Sequence, residues 1–176
     1  MRDFGIPAVG IAAPSGTGKT TLLIRLIPLL KNRGLRVGLI KKTHHDLELD
    51  RPGKDSFELR RAGANPVMLR SPRRRIVVTE FAAPRDGDLA DDLADFGRGG
   101  VDLVLVEGYR GAAIPKIELH RPALGRAPLF PEDPHIIAVA TDDPGLPTAA
   151  LPRLDLNRPE AIAEFLLDYL SLHAST

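Results

Sequence analysis

Short apolar runs alternate along this chain with stretches in which apolar residues recur every three or four positions. The first pattern marks buried strands and the second amphipathic helices. Residues 7–13 (PAVGIAA), 35–40 (LRVGLI), 101–106 (VDLVLV), 116–119 and 136–140 predict strands, and 101–106 is apolar enough to be buried on both faces. Residues 18–33 place Leu22, Leu23, Leu26, Ile27 and Leu30 on one helical face. Pro28 lies inside that stretch. It removes the hydrogen bond to the Ile24 carbonyl and predicts a kink or an end, with Gly34 as the stop. A helix is expected over 55–62, closed by Gly63, and an acidic helix over 87–96. Residues 66–70 and 74–81 flank Ser71-Pro72-Arg73 and predict a strand pair. A C-terminal helix over 159–172 carries Ile162, Phe165, Leu166, Tyr169 and Leu170 on one face. Strands alternating with helices indicate an α/β fold with a mostly parallel central sheet and the strand pair at its edge. No repeat and no shift of composition divides the chain, so 1–176 is expected to be one domain.

Composition agrees with that picture and removes several function classes. Apolar residues at 43% and charged residues at 27% describe a folded globular chain, not a disordered tail, a collagen or a coiled coil. The absence of cysteine excludes disulfides, thiolate metal sites and a cysteine nucleophile. A net charge of +1 does not describe a nucleic-acid-binding protein. The first seven residues carry no long apolar stretch, and no uninterrupted run approaches the ~18 apolar residues of a membrane span. The expectation is a cytoplasmic protein with neither membrane nor nucleic acid as partner. The run Arg73, Arg74 and Arg75 reads as charge guarding a sheet edge or as a local anion or partner site. The five aspartates between 86 and 95 read as a solvated helix face.

The chemistry sits first in Ala13-Pro-Ser-Gly-Thr-Gly-Lys-Thr-Thr21. Gly18, Lys19 and Thr20 match the second half of the phosphate-loop pattern G-x-x-x-x-G-K-[ST], with Ala13 in place of the first glycine. Small residues let backbone N–H groups curl around a phosphate. Ser15, Gly16, Thr17, Gly18, Lys19, Thr20 and Thr21 form the expected nucleotide-binding set. Lys19 would reach the β- and γ-phosphates, and the Thr20 hydroxyl would ligate Mg²⁺. The helix that follows points its positive end at the anion. A Gly-Lys-Thr triplet alone is common. Set between an apolar strand and an amphipathic helix it is far more specific, the alternative being an ordinary strand-turn-helix junction.

A phosphate loop needs an acid at a neighbouring strand tip to hold Mg²⁺. Asp102 opens the strand over 101–106 and Glu107 ends it, five residues or ~16 Å apart, so only one can serve. Ligands of open α/β sheets gather at the carboxyl ends of strands, which selects Glu107, with Gly108 turning the chain behind it. Asp102 is expected at the surface or as a cap. Lys41-Lys-Thr-His-His-Asp46 starts at the tip of another strand, so Lys41 or Asp46 is placed near the Mg²⁺–phosphate region. Without cysteine or a further nearby histidine, His44 and His45 do not make a closed zinc site. Asp142, after the strand over 136–140, can accept from guanine N1–H and the 2-amino group, although an Asx turn before Pro144 explains Asp-Asp-Pro-Gly equally well. Arg110 is a candidate arginine finger supplied in cis.

The order Ser-Gly-Thr-Gly-Lys-Thr-Thr, Gly-Leu-Ile-Lys-Lys-Thr-His-His-Asp, Pro-Gly-Lys-Asp-Ser-Phe-Glu-Leu-Arg-Arg-Ala-Gly-Ala, Asp-Leu-Val-Leu-Val-Glu-Gly-Tyr, Pro-Lys-Ile-Glu-Leu and His-Ile-Ile-Ala-Val-Ala-Thr-Asp resembles the molybdopterin-guanine dinucleotide biosynthesis adaptor family, MobB. The likeness spans about 6–172. Residues 38–64 with Glu107-Gly108 are its specific part. It implies a P-loop NTPase three-layer fold that binds GTP with Mg²⁺ and hydrolyses it weakly. It also implies a homodimer working beside the molybdenum cofactor guanylyltransferase and other cofactor-assembly proteins. Carried over, Gly16 to Thr21 would bind phosphate, Thr20 would bind Mg²⁺ and Glu107 would be the second acid; Lys19 and Glu107 are the expected catalytic residues, with Thr20, Glu107 and Asp46 as the expected metal set. Lys42 stands where the family often has histidine, and 121–131 reads as a variable loop. Ordering of the polar segment 41–53 by Mg-GTP would couple nucleotide to partner. A small-molecule kinase lacks a visible lid and acceptor motif here. A metal-delivery GTPase lacks a His-rich tail or cysteine pair.

Overall fold

A computed structural model describes residues 6–43, 47, 50–97, 100–148 and 150–173. The chain forms two compact units, one of Met1–Lys42 with Asp88–Thr176 and one of Thr43–Gly87. Among the described residues no helix is long and apolar enough to cross a membrane.

The larger unit is built on six strands: β1 (Ala8–Ala12), β2 (Val37–Lys41), β5 (Leu103–Glu107), β6 (Lys116–His120), β7 (Ile136–Thr141) and β8 (Arg153–Asp155). They lie in the order β2-β5-β1-β6-β7-β8, and every pairing is parallel. Strand β5 shows why both faces must be apolar. Leu103 and Leu105 join one cluster with Leu22, Leu26 and Leu30 of helix α1 (Lys19–Asn32) and Ile162 and Leu166 of helix α4 (Pro159–His173). Val104 and Val106 join a second cluster with Leu89 and Leu93 of helix α3 (Leu89–Gly97). Alternate side chains of a strand face opposite sides, so these two clusters are the two faces of the sheet in a three-layer α/β arrangement. The acidic helix is therefore more than a solvated face, since Leu89 and Leu93 are buried. Its Phe96 lies over Gly38, where a Cβ would stand 2.7 Å from the ring.

Pro28 does not end α1, which runs on through it to Asn32. The carbonyl it frees belongs to Ile24, whose side chain is 68% exposed, so the missing bond lies on the wet side of the helix. The buried stripe Leu22, Leu23, Leu26 and Leu30 holds the helix on the other side. The stop at Gly34 is as expected. Gly34 has φ +89° and donates to the Lys31 carbonyl, while Leu35 N–H reaches back to the Leu30 carbonyl.

In the smaller unit, helix α2 (Asp55–Arg61) precedes strands β3 (Val67–Arg70) and β4 (Arg75–Val78). The expected strand pair is present as an antiparallel sheet of its own, with Leu69 opposite Ile76. The Asn65 side chain adds a further rung, since its amide donates to the Glu80 carbonyl and its oxygen accepts from Glu80 N–H, both at 2.9 Å. Arg60 pairs with Glu80. Met68, Leu69, Ile76 and Val77 are exposed.

Candidate functional site

Strand β1 delivers the chain at Ala12 into the loop before α1. Two glycines shape that loop: Gly16 at φ +82° and Gly18 at φ +103° lie in the left-handed region that residues with a Cβ avoid. Ala13 is half-buried and packs on the apolar cluster beneath α1, which accounts for a methyl where the motif has glycine. Thr17 is buried, and its hydroxyl donates to the Pro14 carbonyl at 2.9 Å. Lys19 arches back over the loop, its ammonium donating to the Ala13 and Pro14 carbonyls at 3.0 and 2.9 Å. A trans peptide points its C=O and N–H in opposite directions. The carbonyl of Pro14 is thus held toward Lys19 and Thr17, and the N–H of Ser15 faces away from them. Ser15, Gly16, Thr20 and Thr21 are exposed.

Glu107 ends β5 beside this loop, in register with Ile11 of β1 on one side and Lys41 of β2 on the other. Its carboxylate is mostly buried and lies 3.6 Å from the Lys41 ammonium. Gly108, at φ +94°, turns the chain away. A Cβ there would come within 2.6 Å of the Lys42 carbonyl oxygen, so no other residue fits this turn unstrained. Lys42 lies over the Tyr109 ring at 5.1 Å. Arg110 follows, exposed. Asp102 sits at the opposite end of the sheet, as expected of a surface residue. It accepts from Arg36 Nε at 3.0 Å, Arg36 Nη2 at 2.7 Å and Arg36 N–H at 2.7 Å. Hydrogen bonding to Arg36 holds its carboxyl down at about 2. His44, His45 and Asp46 lie outside the described residues, as does part of the segment 41–53.

One residue read as part of a variable loop belongs to the site. Arg121, the first residue after β6, donates from Nε to the Thr17 carbonyl at 3.0 Å and pairs through Nη1 with Asp142 at the end of β7. Gly16, Thr17, Gly18, Thr21, Leu22, Arg25, Arg121, Leu156 and Asn157 line a cleft of about 330 Å³ beside the loop. Asp142 is not among the lining residues. The Asx turn of Asp-Asp-Pro-Gly is made by its neighbour, because Asp143 Oδ1 accepts from Gly145 N–H at 2.8 Å. Glu118 pins the chain that carries Arg121. Its carboxylate is buried in β6 next to Ala12 of β1, and it accepts from Leu129 N–H and Phe130 N–H at 2.7 and 2.8 Å. The rule that ligands collect at strand carboxyl ends pointed to Arg121 and Asn157 as much as to Glu107. Neither belongs to a residue-type motif, so pattern matching passed over both.

The family described as "MobB: Molybdopterin guanine dinucleotide synthesis protein B" matches residues 8–142. The chain is 45% identical over 166 residues to the "Molybdopterin-guanine dinucleotide biosynthesis adapter protein" of Escherichia coli (strain K12), covering 94% of each. It is 42% identical over 165 residues to the protein of the same description from Haemophilus influenzae, covering 94% of this chain and 90% of that one. Among solved structures, a molybdopterin-guanine biosynthesis protein B superposes with a TM-score of 0.67 at 27% identity, over 93% of this chain and 99% of that one. Bacillus subtilis MobB superposes with a TM-score of 0.72 at 22% identity, over 93% and 97%, a likeness of fold. The phosphate-loop architecture, the Glu107-Gly108 strand end and these matches together place the chain in the molybdopterin-guanine dinucleotide biosynthesis adaptor family, MobB.

Proposed function

We propose that this protein is a cytoplasmic, GTP-binding adaptor of molybdopterin guanine dinucleotide assembly, acting as a homodimer beside the guanylyltransferase of that pathway. The observation that carries the reading is the loop between β1 and α1, with its two left-handed glycines and Lys19 folded across it. Family membership adds the pathway, since the relatives described above are named as adapters of it.

The residues fit Mg-GTP. No atom stands within 4 Å of the place a Cβ would take at Gly16, so the backbone there is open to a phosphate. Mg²⁺ keeps most of its waters and takes one or two protein oxygens together with phosphate oxygens. Thr20 and Glu107, the latter one strand away from the loop, would supply them. Bound Mg²⁺ would neutralise phosphate charge. Lys19 would exchange its carbonyl partners for phosphate oxygens, and the N–H groups of 15–21 would orient the anion. Among the described residues no glutamine-like residue is placed to orient an attacking water, and hydrolysis is expected to be slow, near the ~10⁻⁴ to 10⁻² s⁻¹ of unassisted P-loop GTPases.

Titration calorimetry of Mg-GTP against the full chain and Lys19→Ala tests the site, with most of the affinity expected to go with the ammonium. Equal affinity in the variant would overturn the phosphate-loop reading. For the adaptor role, affinity for the guanylyltransferase should differ between apo, GDP and GTP-analogue states, and equal affinity in all three would leave a scaffold without a switch. Efficient phosphate transfer to a small molecule would instead make the chain a kinase. Sedimentation at micromolar concentration should show a dimer, and a monomer alone would remove that part of the proposal.

A further inference from the structure

Arg121 occupies an unusual position for a surface arginine. It joins three strand ends: its own after β6, the loop after β1 through the Thr17 carbonyl, and the end of β7 through Asp142. It is about one-third exposed and lines the cleft beside the phosphate loop. A Cβ at Gly18 would lie 4.0 Å from its Nη2, so the guanidinium lies alongside the loop backbone. A guanidinium carries five N–H donors in a rigid plane. Thr17 takes the one on Nε and Asp142 takes one on Nη1, which fixes the plane and leaves donors on Nη1 and Nη2.

A ligand that meets such a group needs two acceptors side by side. Guanine presents O6 and N7 on one edge, whereas adenine presents N7 beside an amino donor. Arg25 adds a second positive charge to the same cleft, which disfavours the adenine amino edge further. Asp142 stands behind Arg121, and its carboxylate is engaged in holding it.

We propose that Arg121 is the base-recognition residue of this cleft, its guanidinium set by Thr17 and Asp142 so that it donates to the O6/N7 edge of a guanine. Asp142 is then a positioning residue that reads the base only through Arg121. The inference rests on the nucleotide-binding function proposed above and assigns its specificity. The same bond has a second effect. It holds the Thr17 carbonyl toward Arg121, and because the peptide is planar and trans the Gly18 N–H points the other way.

The test is titration calorimetry on the full chain with Mg²⁺ and GTP, ITP, 7-deaza-GTP, ATP or tripolyphosphate. ITP lacks the 2-amino group but keeps O6 and N7, while 7-deaza-GTP lacks only N7. The wild-type protein should bind GTP and ITP alike, and 7-deaza-GTP and ATP more weakly, with ATP roughly 5- to 150-fold down, the usual discrimination of a bidentate contact. In Arg121→Gln and Arg121→Lys the GTP-to-ATP affinity ratio should collapse toward one, with tripolyphosphate affinity falling by a smaller factor than GTP affinity. Asp142→Asn should erode the same ratio partway. Three results overturn the inference alone: 7-deaza-GTP binding as tightly as GTP while ITP weakens, an unchanged GTP-to-ATP ratio in both Arg121 variants, or equal losses for GTP, ATP and tripolyphosphate. Failure of the wild-type protein to bind any triphosphate overturns the nucleotide function as well.

Discussion

Glu118 offers the clearest test of how this fold is held around its loop. The carboxylate is buried and accepts two backbone N–H groups, from Leu129 and Phe130, at 2.7 and 2.8 Å. Hydrogen bonds to a charged group are worth about 1.5–3 kcal/mol each in folded proteins. Glu118→Gln keeps one acceptor and turns the other into an amide donor facing an N–H, so one bond is lost. A buried neutral amide costs less desolvation than a buried carboxylate, which offsets part of that loss. The net expectation is about 2 kcal/mol. Glu118→Ala strands both N–H groups and opens space beside β1, for about 3–5 kcal/mol. For a chain of this length the Gln variant should lower the melting temperature by about 4–8 °C. Urea unfolding followed by circular dichroism measures the free energy. Amide exchange at Leu129 and Phe130, faster in the variant, shows that the loss is local to those bonds. A Glu118→Gln variant within ~0.5 kcal/mol of the wild type, with unchanged exchange at both amides, would refute the reasoning.

Three other outcomes follow from the geometry. Glu107→Gln should weaken Mg²⁺-dependent nucleotide binding while Asp102→Asn leaves it unchanged, because one lies beside the loop and the other at the far end of β5. Calorimetry giving the opposite ranking would mean that the amino-terminal edge carries the site. The Asp102 carboxyl is held at about 2, below its ordinary value of 3.8. Its contribution is therefore present above about pH 4 and lost as pH falls toward 2, so the stability gap between wild type and Asp102→Asn should be flat from pH 5 to 7 and close below pH 4. Gly108→Ala meets both a φ of +94° and a carbonyl oxygen 2.6 Å from the new methyl. It should cost about 1–3 kcal/mol or more by thermal unfolding and shift Glu107 enough to lower nucleotide affinity.

Most of the sheet was legible because burial on both faces leaves a clear mark: a short, continuous, valine-rich apolar run such as LVLV, bounded by polar residues, favours an inner parallel strand. Strand β8 was not, since Arg153, Leu154 and Asp155 are too few to show a period. Pro28 does not end the helix, because a proline's cost depends on which side of the helix the freed carbonyl faces, and tertiary packing decides that. The same difference separates the site residues. The Gly16-Thr17-Gly18-Lys19 loop is legible since its chemistry depends on local backbone conformation, which residue type dictates. Arg121 depends on two partners, 104 and 21 residues away in sequence, that only the sheet order brings together. Asp142 and Asp143 were indistinguishable as letters, and the turn at Gly145 assigns them different roles.

The division of the chain at Lys42 and Asp88 makes Thr43–Gly87 a cassette spliced into an otherwise continuous α/β unit. Its helix α2 buries no residue of its own. Its ladder is carried by four residue pairs with Met68, Leu69, Ile76 and Val77 open to water. Such a segment should open as a separate foldon, at lower free energy than the six-stranded sheet into whose sequence it is inserted. In native-state hydrogen exchange the amides of β3 and β4 would form a fast class and those of β5 a slow one. If the protein dimerises through the cassette, that fast class should slow as protein concentration rises while the amides of β5 stay where they are.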